Sequence, residues 1–521
     1  MVKIHMQKTS GFSPSTLLVK NSILNLLGMV LPLLVGIIAI PFAIKGLGKE
    51  GFGILAIAWV VLGYFALFDF GLSRATTKFV SEMLGKGGIE SLPSIIWTAV
   101  IVSFGLGILA ALILFFLTPF FVETLLKIPR GFVHQAKLSF YILAFSVPII
   151  LCSTSLRGVL EAAQRFDLVN LIIIPTSMLS FIFPGLSFPF HLNLSTVVFL
   201  IALSRLAAAL AYLSFCFRVF PIIRTKAAVN LNQLKRMLSY GGWISITNII
   251  SPLLVYMDRF FIGSMISMAS VAFYTAPYEG ITRLRIFATA IMQTLFPEFS
   301  ALSVDADNSD RLEMLFVRAI KSVLISVGIL IISLFFSAPL LLQTWLGPEF
   351  EEQSLSVFRI LAIGVLINCI AIIPYNLLQG IGRPDLPAKF HFLEFPIYLF
   401  LLWVLIPNFG IDGAALAWTI RVGLDASLLF WVVLKTYPLM IQKIRASNIG
   451  RSLLLFLFSF VLLLSLDMVL SDMIYKLFLL ISLLLSLALL TWYFILDDTE
   501  RHMTHTLCFK LIKCMKFSKG Q

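Results

Sequence analysis

Six arginines stand inside apolar runs of this chain, namely Arg205, Arg259, Arg283, Arg285, Arg359 and Arg421, and their depth limits the chemistry open to them. A charged side chain deep in a membrane-spanning helix costs at least about 2.5 to 3.5 kcal/mol on insertion scales, so each must be shallow, paired or turned toward a polar cavity. At about 1.5 Å per residue, Arg205 and Arg421 fall roughly 13 to 15 Å into their runs, near the midplane of a ~30 Å hydrocarbon layer. Arg259 and Arg359 fall near run ends, where a long side chain can snorkel to the interface. Glu279 with Arg283, and Arg421 with Asp425, are spaced i,i+4 and share a helical face, as pairs that neutralise one another in packing would be. Arg205 and Arg285 have no acidic neighbour one turn away. A guanidinium is a planar fork of donors that keeps its charge when desolvated, so an unpaired one at that depth points to water or an anionic ligand such as a phosphate. Asn21, Asn25 and Asn248 could hydrogen-bond sugar hydroxyls, or could serve as interhelical glue.

The elements that carry these groups can be read from composition. Of 521 residues, 59% are hydrophobic and 12% charged, and unbroken apolar runs of about 20 residues recur to the end. This predicts an all-α polytopic membrane protein; barrel strands alternate in segments of about 10 residues and do not read this way. Spans are expected at 21–44, 52–72, 93–117, 138–160, 168–190, 196–217, 239–262, 268–296, 319–341, 355–379, 388–407, 412–434, 450–470 and 475–495, fourteen in all. The first run is longer than a signal-peptide core and no small-x-small cleavage site follows it, so it is expected to stay as a span.

An even count puts both termini on one side. On the opposite side the loops carry only Lys45, Lys49, Lys127, Arg130, Lys137 and Lys476, so the termini are expected to be cytoplasmic. The net charge of +13 is dispersed between spans and reports this topology; it does not form the basic face that nucleic acid requires. Five cysteines, at positions 152, 216, 369, 508 and 514, make no disulfide framework or metal spacing. The tail from His505 to Lys519 interleaves lysines with apolar residues, as in a helix on an anionic leaflet or a solvated basic end.

A shift of about 220 residues lays Phe115-Phe116-x-x-Pro119-x4-Thr124-x-Leu126 on Phe335-Phe336-x-x-Pro339-x4-Thr344-x-Leu346, and Pro32 on Pro252. Small adjustments lay Leu156-x-Gly158 on Leu378-x-Gly380 and Arg205 on Arg421. The order of these echoes predicts two six-helix lobes, 1–236 and 237–446, as parallel repeats around a central cavity, with two appended helices in 447–500 and a basic tail in 501–521. Such a cavity can open to either side by rocking.

Catalytic patterns are nearly missing. No P-loop sequence occurs, so ATP hydrolysis by this chain is not expected, and neither a metal-binding His/Cys spacing nor a nucleophile elbow is found. No cofactor is expected. Asp305-x-Asp307 is similar to a nucleotide-sugar metal pair, but Asn308, Ser309 and Asp310 beside it read as a solvated turn.

Leu47-Gly48-x-x-Gly51-Phe52-Gly53 followed by Asp69-Phe70-Gly71-Leu72 resembles the first hairpin of the polysaccharide transporters, the Wzx-type lipid-linked oligosaccharide flippases of the multidrug/oligosaccharidyl-lipid/polysaccharide exporter superfamily. Asp258-Arg259 with Val271-Ala272-Phe273-Tyr274, Gln379-Gly380-x-Gly382-Arg383-Pro384 and Gly410-Ile411-Asp412-Gly413-Ala414-Ala415-Leu416-Ala417 resemble its later segments; Ala272 stands where that family more often has glycine. The resemblance implies a bacterial inner-membrane flippase that moves an undecaprenyl-diphosphate-linked glycan, such as an O-antigen or capsule unit, to the outer leaflet, upstream of polymerase and ligase machinery.

On that reading Arg205, Arg283, Arg285 and Arg421, with Arg259, engage the diphosphate. Glu279, Asp258, Asp425 and Asp69 compete for these arginines or take up a coupling proton or sodium ion. The first hairpin, uncharged before Asp69, is expected to be an apolar gate wall, and its copy, Ser239 to Pro297, the gripping face. Two alternatives stay open: a cation-coupled multidrug extruder of the same fold, and an integral-membrane glycosyltransferase or polymerase using Asp305 and Asp307.

Overall fold

Backbone polar groups in hydrocarbon can be satisfied only within a helix or a closed barrel, so a chain this apolar must be helical from end to end. The computed structural model, which describes residues 14–65, 72–85, 89–224, 253–302, 309–469, 473–491 and 493, is helical with no strand among the described residues. Eight of the described helices are long and apolar enough to cross a membrane, or nine if the bent pair Leu439–Ala446 and Ile449–Ser465, meeting at 53°, is counted as one span.

Two of the eight are longer than any single crossing. Pro14–Phe65 and Asp385–Thr436 run for 52 residues each and break at Gly48 (φ 73°) and Gly410 (φ 60°), left-handed conformations that glycine adopts without a Cβ clash. The chain reverses at both breaks. Gly36 and Trp59 both touch the ring of Phe181, although a straight helix would separate them by about 34 Å. At Gly410 the return is so tight that a Cβ on Gly413 would lie 2.2 Å from the carbonyl oxygen of Leu405. The expected spans 21–44, 388–407 and 412–434 are thus limbs of these two hairpins.

The described chain divides into two compact units, Met1–Ala276 with Leu399–Ala414, and Pro277–Tyr398 with Ala415–Gln521. In the first, the helices Leu92–Pro119 and Val133–Ala162 approach through small polar residues, with Ser103 Oγ and Ser155 Oγ 2.7 Å apart, while Phe104, Leu109 and Phe116 face outward. Phe166–Gly185 and Leu194–Val219 pack beside them around Leu156, Val159, Val169, Ile172 and Tyr212. In the second, Ser309–Leu346 and Pro348–Gly380 form the central pair. The appended helices Ile449–Val469 and Met473–Leu490 dock on Ser309–Leu346 through Phe456, Leu463 and Leu487 against Leu324 and Ile332.

One expected span is corrected. The run 268–296 is not one helix: Met268–Thr282 and Arg285–Leu302 are separated by a turn at 283–284, closed by Leu284 N–H to the Ile281 carbonyl (3.2 Å) and Phe287 N–H to the Leu284 carbonyl (3.1 Å). Pro277 removes one helical donor, and three charges crowd the next two turns, so an uninterrupted crossing there is costly. Ala272, where a turn glycine was the comparison, is buried inside Met268–Thr282. The expected lobe boundary at 236/237 and the tail at 501–521 lie outside the described residues.

Candidate functional site

In the second unit, the stretches of Asp385–Thr436 up to Tyr398 and from Ala415 onward bring ionisable groups together. Glu394 and Asp425 stand at nearly equal distances along the chain from Gly410 on its two sides, as do Tyr398 and Arg421, so the antiparallel limbs bring them level. The ion pair of Arg421 runs across the hairpin to Glu394, with Nη1 3.5 Å from Oε2, and not to Asp425 one turn away on its own helix. The i,i+4 pairing expected for Arg421 is corrected accordingly: the facing limb offers a carboxylate little more than a turn away in depth, within reach of the long arginine side chain. The Arg421 guanidinium lies over the Tyr398 ring at 5.7 Å. Asp425 lies one turn from Arg421 on the same limb and level with Glu394 on the other.

Pro348–Gly380 forms the wall behind this cluster. Thr419 Oγ1 donates to the Ile360 carbonyl (3.3 Å), and the Tyr375 ring stacks on His391 at 6.3 Å and 20°. Trp418, buried against Tyr278 at 5.7 Å, covers the neighbouring turn. Glu394 is 0%, and Arg421 and Asp425 are each 7%, exposed, yet both Glu394 oxygens, Arg421 Nε, Asp425 Oδ1 and His391 Nδ1 are buried without a hydrogen-bond partner. Unmade hydrogen bonds on buried charged groups are expensive.

In the first unit, Asn193 caps Leu194–Val219 by accepting from Thr196 N–H at 2.9 Å, which sets the register that carries Arg205 to mid-helix. Its Nη2 donates to Ser180 Oγ at 3.2 Å, and Ser180 donates on to the Thr176 carbonyl at 3.0 Å. Among the described residues no carboxylate pairs with Arg205.

The remaining candidates are placed differently. Arg259 is 1% exposed and does not snorkel: Nε donates to Thr275 Oγ1 (3.3 Å), Nη1 to the Val255 carbonyl (3.4 Å), and its own amide to Asp258 Oδ1 (2.7 Å). Tyr274 Oη donates to the other Asp258 oxygen at 2.7 Å. Depth along a run says nothing of lateral cover, and here packed helices close over the side chain. Arg283 Nη2 pairs with Glu279 Oε2 at 2.8 Å, as the spacing predicted, with both half-exposed at the helix break. Arg285, starting the next helix, is exposed. Asn21 and Asn25 lie on Pro14–Phe65 with side chains outside the described part, and Asp69, Asn248, Asp305 and Asp307 lie outside the described residues. Glu394 and His391 were missed in the sequence, although a glutamate a third of the way into the apolar run 388–407 is the same signal that singles out the arginines.

Helices of this length and apolarity are those of an integral membrane protein. Solved structures agree on the fold: a structure described as "Lipid II flippase MurJ, inward closed conformation" matches with TM-score 0.72 at 16% identity, over 91% of this chain and 99% of that one. An inward-facing multidrug resistance MATE family transporter matches with TM-score 0.66 at 14% identity, over 80% of this chain and 99% of that one. Residues 18–303 match the family described as "Polysaccharide biosynthesis protein". A Shigella flexneri protein named "Putative O-antigen transporter" is 31% identical over 426 residues, covering 80% of this chain and 97% of that protein. A Haloferax volcanii protein named "Probable low-salt glycan biosynthesis flippase Agl15" is 23% identical over 36% of this chain and 39% of its own length. The chain belongs to the polysaccharide biosynthesis protein family, and is a transporter and not an enzyme.

Proposed function

We propose that the protein is a flippase for a lipid-linked glycan, moving a polyprenyl-diphosphate-linked oligosaccharide from the cytoplasmic to the outer leaflet of a bacterial inner membrane by alternating access. Arg205 carries the reading: a mid-helix guanidinium held by a serine and, among the described residues, by no carboxylate has its charge left for an anion. Arg421 is the corresponding group of the second unit, and Arg283 and Arg285 lie where the head would meet a helix break. The relatives named for O-antigen transport and glycan flipping support a glycan of surface polysaccharide type as cargo, with polymerase and ligase machinery downstream. Multidrug extruders share the fold, but an organic cation gains nothing from an arginine that lacks a counter-charge.

ATP is not needed. A net charge of about −2 moving outward across ~100 mV, inside negative, releases roughly 4 to 5 kcal/mol; a coupled proton or sodium ion alters this, adding to it when it moves inward and subtracting when it leaves with the head. Both termini are cytoplasmic on this reading. The experiment is to change Arg205 and Arg421 separately to alanine, confirm membrane levels by immunoblot, and measure glycan display at the cell surface. Display should fall at least tenfold for each, and normal display from well-expressed variants would end the assignment.

A further inference from the structure

The Glu394, Arg421, Asp425 and His391 cluster holds more than the flippase reading uses. Two carboxylates face one guanidinium in a buried hairpin, so with both ionised the cluster carries an uncompensated negative charge where dielectric screening is weak. The pair that exists is also poorly made: one 3.5 Å contact in place of a two-bond fork, with Arg421 Nε and both Glu394 oxygens unsatisfied. A guanidinium held this loosely can change partners. A disubstituted diphosphate offers better geometry, but its charges are repelled by the same two carboxylates.

We propose that Glu394 is the internal competitor of the substrate's diphosphate for Arg421, and that a proton shared with Asp425 decides which of them holds the arginine. With the proton absent, Glu394 keeps Arg421 and the site rejects anions. With it bound, taken from water and returned there when the anion leaves, the carboxyl pair carries one charge fewer and Arg421 is free for phosphate oxygens. Glu394 is thus a positioning residue acting through Arg421. The titratable and charged groups around it are His391 and Tyr398 on its own limb, Arg421 and Asp425 on the facing limb, and Tyr375 on Pro348–Gly380, stacked on His391. The inference rests on reading Arg421 as a phosphate-binding group.

The test is binding of a P1,P2-dialkyl diphosphate, whose two charges do not change between about pH 5 and 8, to the full-length detergent-purified protein, followed by tryptophan fluorescence. Wild-type affinity should strengthen steadily as pH falls. Glu394→Gln should bind about tenfold more tightly than wild type at pH 8 and respond little to pH, on the scale of one charge-assisted hydrogen bond. Glu394→Asp should restore the slope, and His391→Gln should keep it. Equal affinity and slope for wild type and Glu394→Gln would overturn the proposal, as would a slope lost only in His391→Gln. If Glu394→Gln fails to fold, the wild-type profile decides alone, because affinity that does not change with pH is also incompatible with the proposal. No binding by wild type at any pH would overturn the flippase assignment of Arg421 together with this inference, whereas binding that ignores Glu394 would overturn only the latter.

Discussion

Replacing Arg205 with leucine should make the protein more stable and less active at once. The guanidinium lies mid-helix, donates one 3.2 Å hydrogen bond to Ser180 and has no carboxylate partner among the described residues. Removing an uncompensated charge from that depth relieves about 2.5 to 3.5 kcal/mol on insertion scales. Losing the serine contact returns about 1.5 kcal/mol of that, the low end for a hydrogen bond to a charged group, leaving roughly 1 to 2 kcal/mol of net stabilisation. Thermal unfolding of detergent-purified Arg205→Leu, followed by intrinsic fluorescence, should therefore shift upward by a few degrees. Flipping in reconstituted vesicles, read as protection of a labelled lipid-linked sugar from an external quencher, should drop at least tenfold for lost phosphate contacts. A fall in the melting temperature would mean that the arginine is a structural tie. A rise with unchanged flipping would mean that its charge serves no substrate, and either result refutes the reasoning.

Tyr274→Phe removes a 2.7 Å hydrogen bond to the fully buried Asp258 and should cost about 1.5 to 3 kcal/mol in the same melting assay, with flipping per folded molecule unchanged. Gly413→Ala places a Cβ 2.2 Å from the Leu405 carbonyl oxygen, so the hairpin cannot close, and monodisperse protein should vanish from size-exclusion profiles. Arg283→Ala breaks a pair in which the arginine is 40% exposed and should change stability by less than about 0.5 kcal/mol, so any loss of flipping reports a direct role in transport.

The fold was legible wherever one physical rule dominates. Apolar runs too long for a soluble core have to be membrane helices, and a glycine between two such runs, as at Gly48 and Gly410, marks a reversal that other residues resist. The break at 283–284 was not legible, because hydropathy averages Glu279, Arg283 and Arg285 into apolar neighbours, whereas the backbone must deal with each charge singly.

Sites follow a different logic, as Arg259 and Glu394 show. Searching one turn along a helix finds partners such as Glu279 for Arg283, and it rightly finds none for Arg205. The same search assigns Asp425 to Arg421 and overlooks Glu394, because the actual partner lies on the other limb of the hairpin, remote in sequence but little more than a turn away in depth. Measuring depth from the run's end sends Arg259 to the interface, when Thr275 and the Val255 carbonyl instead satisfy it in the interior. Both failures come from treating a span as an isolated helix. Inside a bilayer a charge is compensated by whatever lies level with it, so the natural unit of charge accounting is the hairpin folded at its glycine. Counted that way, the interior stretches of the limbs around Gly410, residues 390–408 and 413–434, hold two carboxylates, Glu394 and Asp425, against one arginine, and the imbalance at Glu394 can be read before any contact is known.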